Sequence, residues 1–200
     1  MDIPRIFTVS ESEHRIHNPF TPEKYATLGR VLRMKPGTRI LDLGSGSGEM
    51  LCTWARDHGI TGTGIDMSRL FTEQATRRAD ELGVSDHVRF IHDDAAGYVA
   101  DEKCDVAACV GATWIAGGVA GTMALLAKSL RPGGMILIGE PYWRQVPASD
   151  EVAQACGVSS IADFLTLPDL VASFDAQGYD LVEMVLADQE GWDRYEAAKW

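Results

Sequence analysis

Arg39-Ile40-Leu41-Asp42-Leu43-Gly44-Ser45-Gly46-Ser47-Gly48-Glu49 is the stretch whose reading decides the fold. An apolar run holding one carboxylate stops at three glycines on alternate positions, after which Glu49-Met50-Leu51-Cys52-Thr53-Trp54-Ala55 can continue as a helix. The spacing predicts strand, tight turn, helix. Backbone without Cβ atoms can pass under a ligand and aim its N–H groups at it, so a ligand is expected at the turn. A dinucleotide loop reads Gly-x-Gly-x-x-Gly and seats a pyrophosphate on the helix N-terminus. Here the third glycine, Gly48, arrives one residue early, and Glu49 stands where that motif needs glycine. A carboxylate at that helix end faces a pyrophosphate unfavourably.

Outward from the turn, strand and helix signals alternate. Upstream, Thr21 as N-cap and Pro22 at the first helical position start a helix whose Tyr25, Leu28, Val31 and Leu32 share one face. Downstream, Gly59 ends the first helix, and Thr61-Gly62-Thr63-Gly64-Ile65-Asp66 reads as a second strand. Ser68 caps a helix carrying Phe71, Ala75, Ala79 and Leu82 and closing at Gly83. A third strand lies within residues 86–92, and Cys104 to Val110 is a continuous small apolar run, as parallel central strands are. A helix through Met123, Leu126 and Leu130 turns at Arg131-Pro132-Gly133-Gly134 into a fifth strand ending at Glu140. A helix is expected near 150–155 and another from Thr166 to Gly178. A sixth strand is expected over Tyr179 to Ala187, and a last helix over Glu190 to Lys199. This pattern predicts an α/β, doubly wound, mostly parallel sheet.

Two hundred residues suit one domain, 1–200, with 1–35 as an N-terminal cap segment and 141–166 as an excursion. Eighteen basic against 29 acidic side chains leave a formal charge of −11. Such a field repels a phosphate backbone and argues against a nucleic-acid partner. Cys52, Cys104, Cys109 and Cys156 show neither metal nor disulfide spacing and read as buried thiols. No metal cluster is visible. No basic leader and no apolar run near 18 residues are present, so no membrane partner is expected and the location predicted is cytoplasmic.

Asp42 followed by Gly44-x-Gly46-x-Gly48 resembles the first motif of the class I S-adenosylmethionine-dependent methyltransferases. The resemblance extends from about residue 22 to 190 and implies a sheet of strand order 3-2-1-4-5 with strand 6 beyond. It includes the acid Asp66 ending the second strand, the Asp94-Ala95 pair after the third, and the Leu130-x-Pro132-Gly133-Gly134 turn. It implies S-adenosyl-L-methionine as cofactor, lying against Gly44, Ser45, Gly46 and Gly48, with Asp42 helping to hold its amino group. Asp66 would then take the ribose hydroxyls, Met67 would lie against the adenine ring, and Asp94 with Ala95, or Asp93 in reserve, would meet the adenine edge. Val110 and Gly111 would face the methionine part. By the same resemblance the N-terminal segment covers the cleft, so that His14, His17 and Tyr25 can face substrate. Trp114, Tyr142 and Trp143 are candidate walls of the substrate pocket. Each of these has a plainer alternative as a packing or capping residue.

The expected reaction is methyl transfer to a small-molecule nucleophile, for which positioning counts most and a general base is optional. Glu140, ending strand five, is the candidate base, with His17 behind it. An NAD-dependent oxidoreductase and a non-catalytic S-adenosylmethionine-binding module remain alternatives. The chain departs from the family in having no residues for its seventh, antiparallel strand, which lies between the fifth and sixth, so that it reads either as a C-terminally shortened version or fragment or as a sheet edge built differently. An incompletely covered sheet edge, and self-association through it, are the expected consequences.

Overall fold

A computed structural model describes residues 4–199; the first three residues of the leader reading lie outside them. The chain divides into two compact units, Met1–Gly139 with Val185–Trp200, and Glu140–Met184.

The first unit holds the sheet. Five strands, β1 (Arg39–Leu43), β2 (Thr61–Asp66), β3 (Val88–His92), β4 (Cys104–Val110) and β5 (Leu130–Gly139), run in the order β3-β2-β1-β4-β5. All their pairings are parallel. Helices α1 (Arg5–Glu11) and α2 (Pro22–Val31) precede the sheet, α3 (Glu49–His58) and α4 (Arg69–Glu81) join its first three strands, and α5 (Val119–Ala127) joins β4 to β5. Neighbouring residues of β1 point to opposite faces. Ile40 joins a core with Tyr25, Leu28, Leu51 and Trp54, while Leu41 and Leu43 join one with Leu125 and Leu126. Trp54, 1% exposed, also donates its Nε1–H to the Tyr25 carbonyl at 3.0 Å, which fixes α2 against α3. Gly62 keeps this layer thin, because a Cβ there would stand 2.9 Å from Leu51.

The helix starts follow the sequence. Thr21 accepts from Lys24 N at 3.2 Å and Ser68 from Phe71 N at 3.4 Å, and Gly59 ends α3 in the left-handed conformation. Helix α1 was not foreshadowed by the mixed, polar sequence ahead of Pro22. Its one buried side chain is a carboxylate, Glu11, so no apolar period marks it. The Arg131–Gly134 turn is absorbed into β5 rather than preceding it, with a register irregularity opposite Cys104/Val106.

The second unit contains α6 (Asp150–Ala155) and α7 (Leu167–Ala176). The expected sixth strand is corrected: Tyr179 to Ala187 has no regular structure. A strand persists only where a ladder partner satisfies its backbone, and none pairs with this segment among the described residues. Helix α8 (Gln189–Ala197) follows, as expected, and belongs to the first unit. The cysteine reading is corrected at one place, since Cys156 is exposed while the other three are buried. Among the described residues no helix is long and apolar enough to cross a membrane, and no cluster of metal-ligating side chains forms.

Candidate cofactor site

The glycine loop leaves β1 at the carboxyl end of the sheet, and each of its glycines meets something a side chain would displace. Gly46, at φ 53°, lies under His17, whose ring carbon would be 2.9 Å from an added Cβ. Gly48, at φ 73°, is pressed against Phe90 and Ala75, where a Cβ would come within 2.6 and 2.7 Å. At Gly44 the obstacle would be Ala112, 2.7 Å away. The third glycine is therefore early because it seats α3 between β3 and α4. Glu49, the first residue of α3, is buried and gripped by Arg78, with Nε donating at 2.7 Å and Nη2 at 2.9 Å. This pairing removes the electrostatic objection to a pyrophosphate that Glu49 raised; the packing of Gly48 is what sets the loop apart.

Two carboxylates stand beside the loop in different states. Asp42 is 4% exposed and its Oδ1 has no hydrogen-bond partner. Burial, together with the nearby charge of Asp66, pushes its pKa up to about 7. An orphaned buried carboxylate of this kind is a vacancy for a cationic or donating group. Asp66 is engaged: Oδ2 accepts from Gly46 N and Oδ1 from Ser68 N, both at 2.8 Å. It ties the loop to the start of α4.

The remaining cofactor candidates are spread around the same strand ends. The Met67 carbonyl accepts from His92 Nε2 at 3.0 Å. Asp94 is exposed, its Oδ1 accepting from Ala96 N at 2.8 Å, and Ala95 is buried. Asp93 Oδ1 accepts from Asp94 N at 2.8 Å, and its own N–H reaches the Asp66 carbonyl at 3.0 Å, linking the second and third strand ends. Val110 lines the cleft with Asp42, Gly44 and Tyr25, and Ser45 sits in the same wall. Gly111 donates to the Gly139 carbonyl at 2.9 Å, and an added Cβ there would face Asn18 and the His17 carbonyl at about 4 Å.

The N-terminal segment forms the roof of this cleft through Arg15, Ile16, His17 and Asn18. Tyr25 is buried and its hydroxyl accepts from Asn18 Nδ2 at 2.8 Å; burial pushes its pKa up. His17 Nε2 lies 2.7 Å from Ser47 Oγ, Ser47 donates to Gln74 Oε1 at 2.7 Å, and Gln74 Nε2 donates to the Ser12 carbonyl at 2.9 Å. That chain assigns the tautomer: Ser47 has spent its proton on Gln74, so His17 Nε2 must be the donor. Burial depresses the His17 pKa to about 4, so the ring is neutral, with its lone pair at Nδ1 facing Glu11 at 3.7 Å.

The substrate candidates are not all gathered. Trp114 is 65% exposed in a short 3-10 turn, Thr113–Ala116, after β4. Tyr142 and Trp143 belong to the second unit, which Glu140 opens. There Trp143 donates its backbone N–H to Leu165 O and its Nε1–H to Ile161 O, both at 2.9 Å, and sits 5.6 Å from the Phe164 ring. Sequence reasoning missed Ser47, Gln74, Asn18 and Arg15. Ser47 was in plain view inside the motif; the others carry no local signal.

A family model for a methyltransferase domain matches residues 40–134. The chain is 84% identical over 200 residues to the protein YjhP of Escherichia coli K12, covering 81% of that protein. A crystal structure of an S-adenosylmethionine-dependent methyltransferase from Geobacter sulfurreducens, in complex with S-adenosyl-L-homocysteine, superposes with a TM-score of 0.98 at 75% identity. It aligns with 100% of this chain and 80% of its own. The corresponding enzyme from Thiobacillus denitrificans, also bound to S-adenosyl-L-homocysteine, gives 0.97 at 72% identity, over 100% of this chain and 81% of that one.

Proposed function

This chain belongs to the S-adenosylmethionine-dependent methyltransferases, and on that premise we propose that it methylates a small-molecule nucleophile in the cleft between the glycine loop and the N-terminal segment. The observation that carries the placement is Asp42. A buried carboxylate with an unfilled oxygen beside a glycine cradle fits the cofactor's α-amino group, and ionisation of Asp42 would be restored by that cation.

In this reading the loop residues Gly44, Ser45, Gly46 and Gly48 hold the cofactor's backbone-facing side, Asp66 takes the ribose hydroxyls, Met67 with Asp94 and Ala95 takes the adenine, and Val110 with Gly111 borders the methionine end. When bound, S-adenosylmethionine supplies an electrophilic sulfonium methyl. The protein's share is then orientation and exclusion of water. His17 already donates to Ser47, and its basic nitrogen faces Glu11, so a general base, where the acceptor needs one, falls to Glu140. The acidic surface and the aromatic candidates Trp114, Tyr142 and Trp143 favour a small, partly apolar acceptor over nucleic acid. Neither the oxidoreductase nor the non-catalytic reading gains support.

A methyl-donor consumption assay against a metabolite panel tests the proposal, with calorimetry against S-adenosylhomocysteine and NAD beside it. Micromolar binding of S-adenosylhomocysteine, none of NAD, and turnover with at least one metabolite are expected. Turnover confined to tRNA or protein would overturn the substrate class.

A further inference from the structure

Glu11 is a carboxylate buried to 9% exposure on a short helix that the sequence does not announce, and it gathers three partners. His14 Nδ1 donates to Oε2 at 2.6 Å, and Tyr195 Oη, from α8, donates to Oε1 at 2.9 Å. Lys199 Nζ approaches Oε1 to 3.8 Å and lies 4.3 Å over the Tyr195 ring, while His17 Nδ1 stands 3.7 Å from Oε2. Tyr195 Oη is also 3.5 Å from the His17 carbonyl. The two ends of the chain thus meet at one buried charge, directly behind the residue that covers the glycine loop.

That covering residue is held from its other side as well. His17 donates to Ser47, stacks at 4.3 Å on Phe71, and occupies the space over Gly46. His17 thus stands over the loop for as long as residues 12–20 stay in place. On the inner side their hold is the Ser47–Gln74–Ser12 chain, and on the outer side it is Glu11 with Tyr195.

We propose that Glu11 and Tyr195 are positioning residues that anchor the 12–20 segment at its start, through Glu11 and His14, and so hold His17 over bound cofactor, the breaking of their hydrogen bond limiting cofactor release. This rests on the reading that the glycine loop binds S-adenosylmethionine. A charge-assisted, partly buried hydrogen bond is strong enough to govern a release rate, because opening leaves a carboxylate without its donor. Tyr195 is the cleaner probe, since Phe removes one oxygen and keeps the ring.

The protein is loaded with tritiated S-adenosylhomocysteine and chased with excess unlabelled ligand. Tyr195→Phe and Glu11→Leu are each expected to speed release about tenfold, equivalent to about 1.4 kcal/mol. The double variant should be no faster than the faster single one, because both break the same bond. Leu126→Ala, a buried deletion on the α5 side of the sheet, is the control for lost stability; it should lower the melting temperature and leave release within twofold. Wild-type retention of label with unchanged release in Tyr195→Phe overturns the latch, as does a double variant in which the two effects multiply. Failure of the wild type to retain label at all would instead sink the cofactor-site reading.

Discussion

Asp42 and His17 are the two side chains whose charge the fold alters most clearly around the loop, and they act on stability with opposite sign. Asp42 titrates at about 7 when folded against 3.8 as a free carboxyl, so between those values the folded chain keeps a proton that the unfolded chain has released. Its contribution therefore weakens as pH rises from 4 to 7. His17 titrates at about 4 against 6.5, so the unfolded chain binds the extra proton, and this contribution is lost as pH falls from 6.5 towards 4. Asp42→Asn should melt higher than wild type above pH 7, with the difference vanishing near pH 4. Thermal melts across that range check it, and a constant offset would contradict the assignment. The same residue should make S-adenosylhomocysteine affinity rise with pH up to about 7, a slope absent from Asp42→Asn. Asp66→Ala removes the acceptor proposed for the ribose hydroxyls and is expected to weaken binding by about 1.5–3 kcal/mol. It also frees Gly46 N and Ser68 N, so calorimetry is to be read beside the melting temperature; unchanged affinity in a folded variant would take the ribose role away from Asp66.

At the scale of elements, the strand–turn–helix unit from Arg39 to His58 does two jobs with three glycines. Gly46 leaves room for the cover, and Gly48 lets α3 press on Phe90 and Ala75. Gly46→Val should abolish S-adenosylhomocysteine binding and retain most of the helical circular dichroism, because its branches occupy the place of His17 and displace the segment above. Normal binding by that variant would show that the loop has been misread. In the second unit, Trp143 is tied to Ile161 and meets Phe164 edge-to-face, so Trp143→Ala should unfold that unit at lower temperature, at a cost below the roughly 3–5 kcal/mol of a fully buried aromatic deletion because the ring is half-buried. If the residue also borders the acceptor, turnover falls while S-adenosylhomocysteine affinity stays within about twofold; an equal loss of both would remove it from the substrate side.

For the whole molecule, the sheet is open at β5. That strand pairs with β4 alone among the described residues, and the apolar side chains Leu181, Val182, Met184 and Leu186 are exposed on a segment without a ladder. Unpaired parallel edges recruit other chains unless they are covered. We propose that this chain associates through that edge or is marginally stable alone; light scattering that shows a monodisperse, heat-stable monomer would overturn this.

What the sequence determined by itself is whatever short-range chemistry encodes. The alternation of Ile40 and Leu41 between two faces, the caps Thr21 and Ser68, the stop at Gly59 and the acid ending β2 each rest on neighbours within a turn or two of chain, so the elements and the glycine loop were legible before any coordinates, while the order β3-β2-β1-β4-β5 came from the family resemblance. Asp42 was legible as an acid in an apolar strand. That its oxygen is left without a partner and its proton held to about pH 7 depends on burial supplied by residues far along the chain. The same holds for Glu11 and Tyr195, which lie 184 positions apart and meet only because α1 and α8 close on each other. It holds too for the segment from Tyr179 to Ala187, whose strand-like composition cannot become a strand without a partner edge. Local propensity sets which elements can form, and only the tertiary structure decides which polar groups are satisfied and which are left waiting for a ligand.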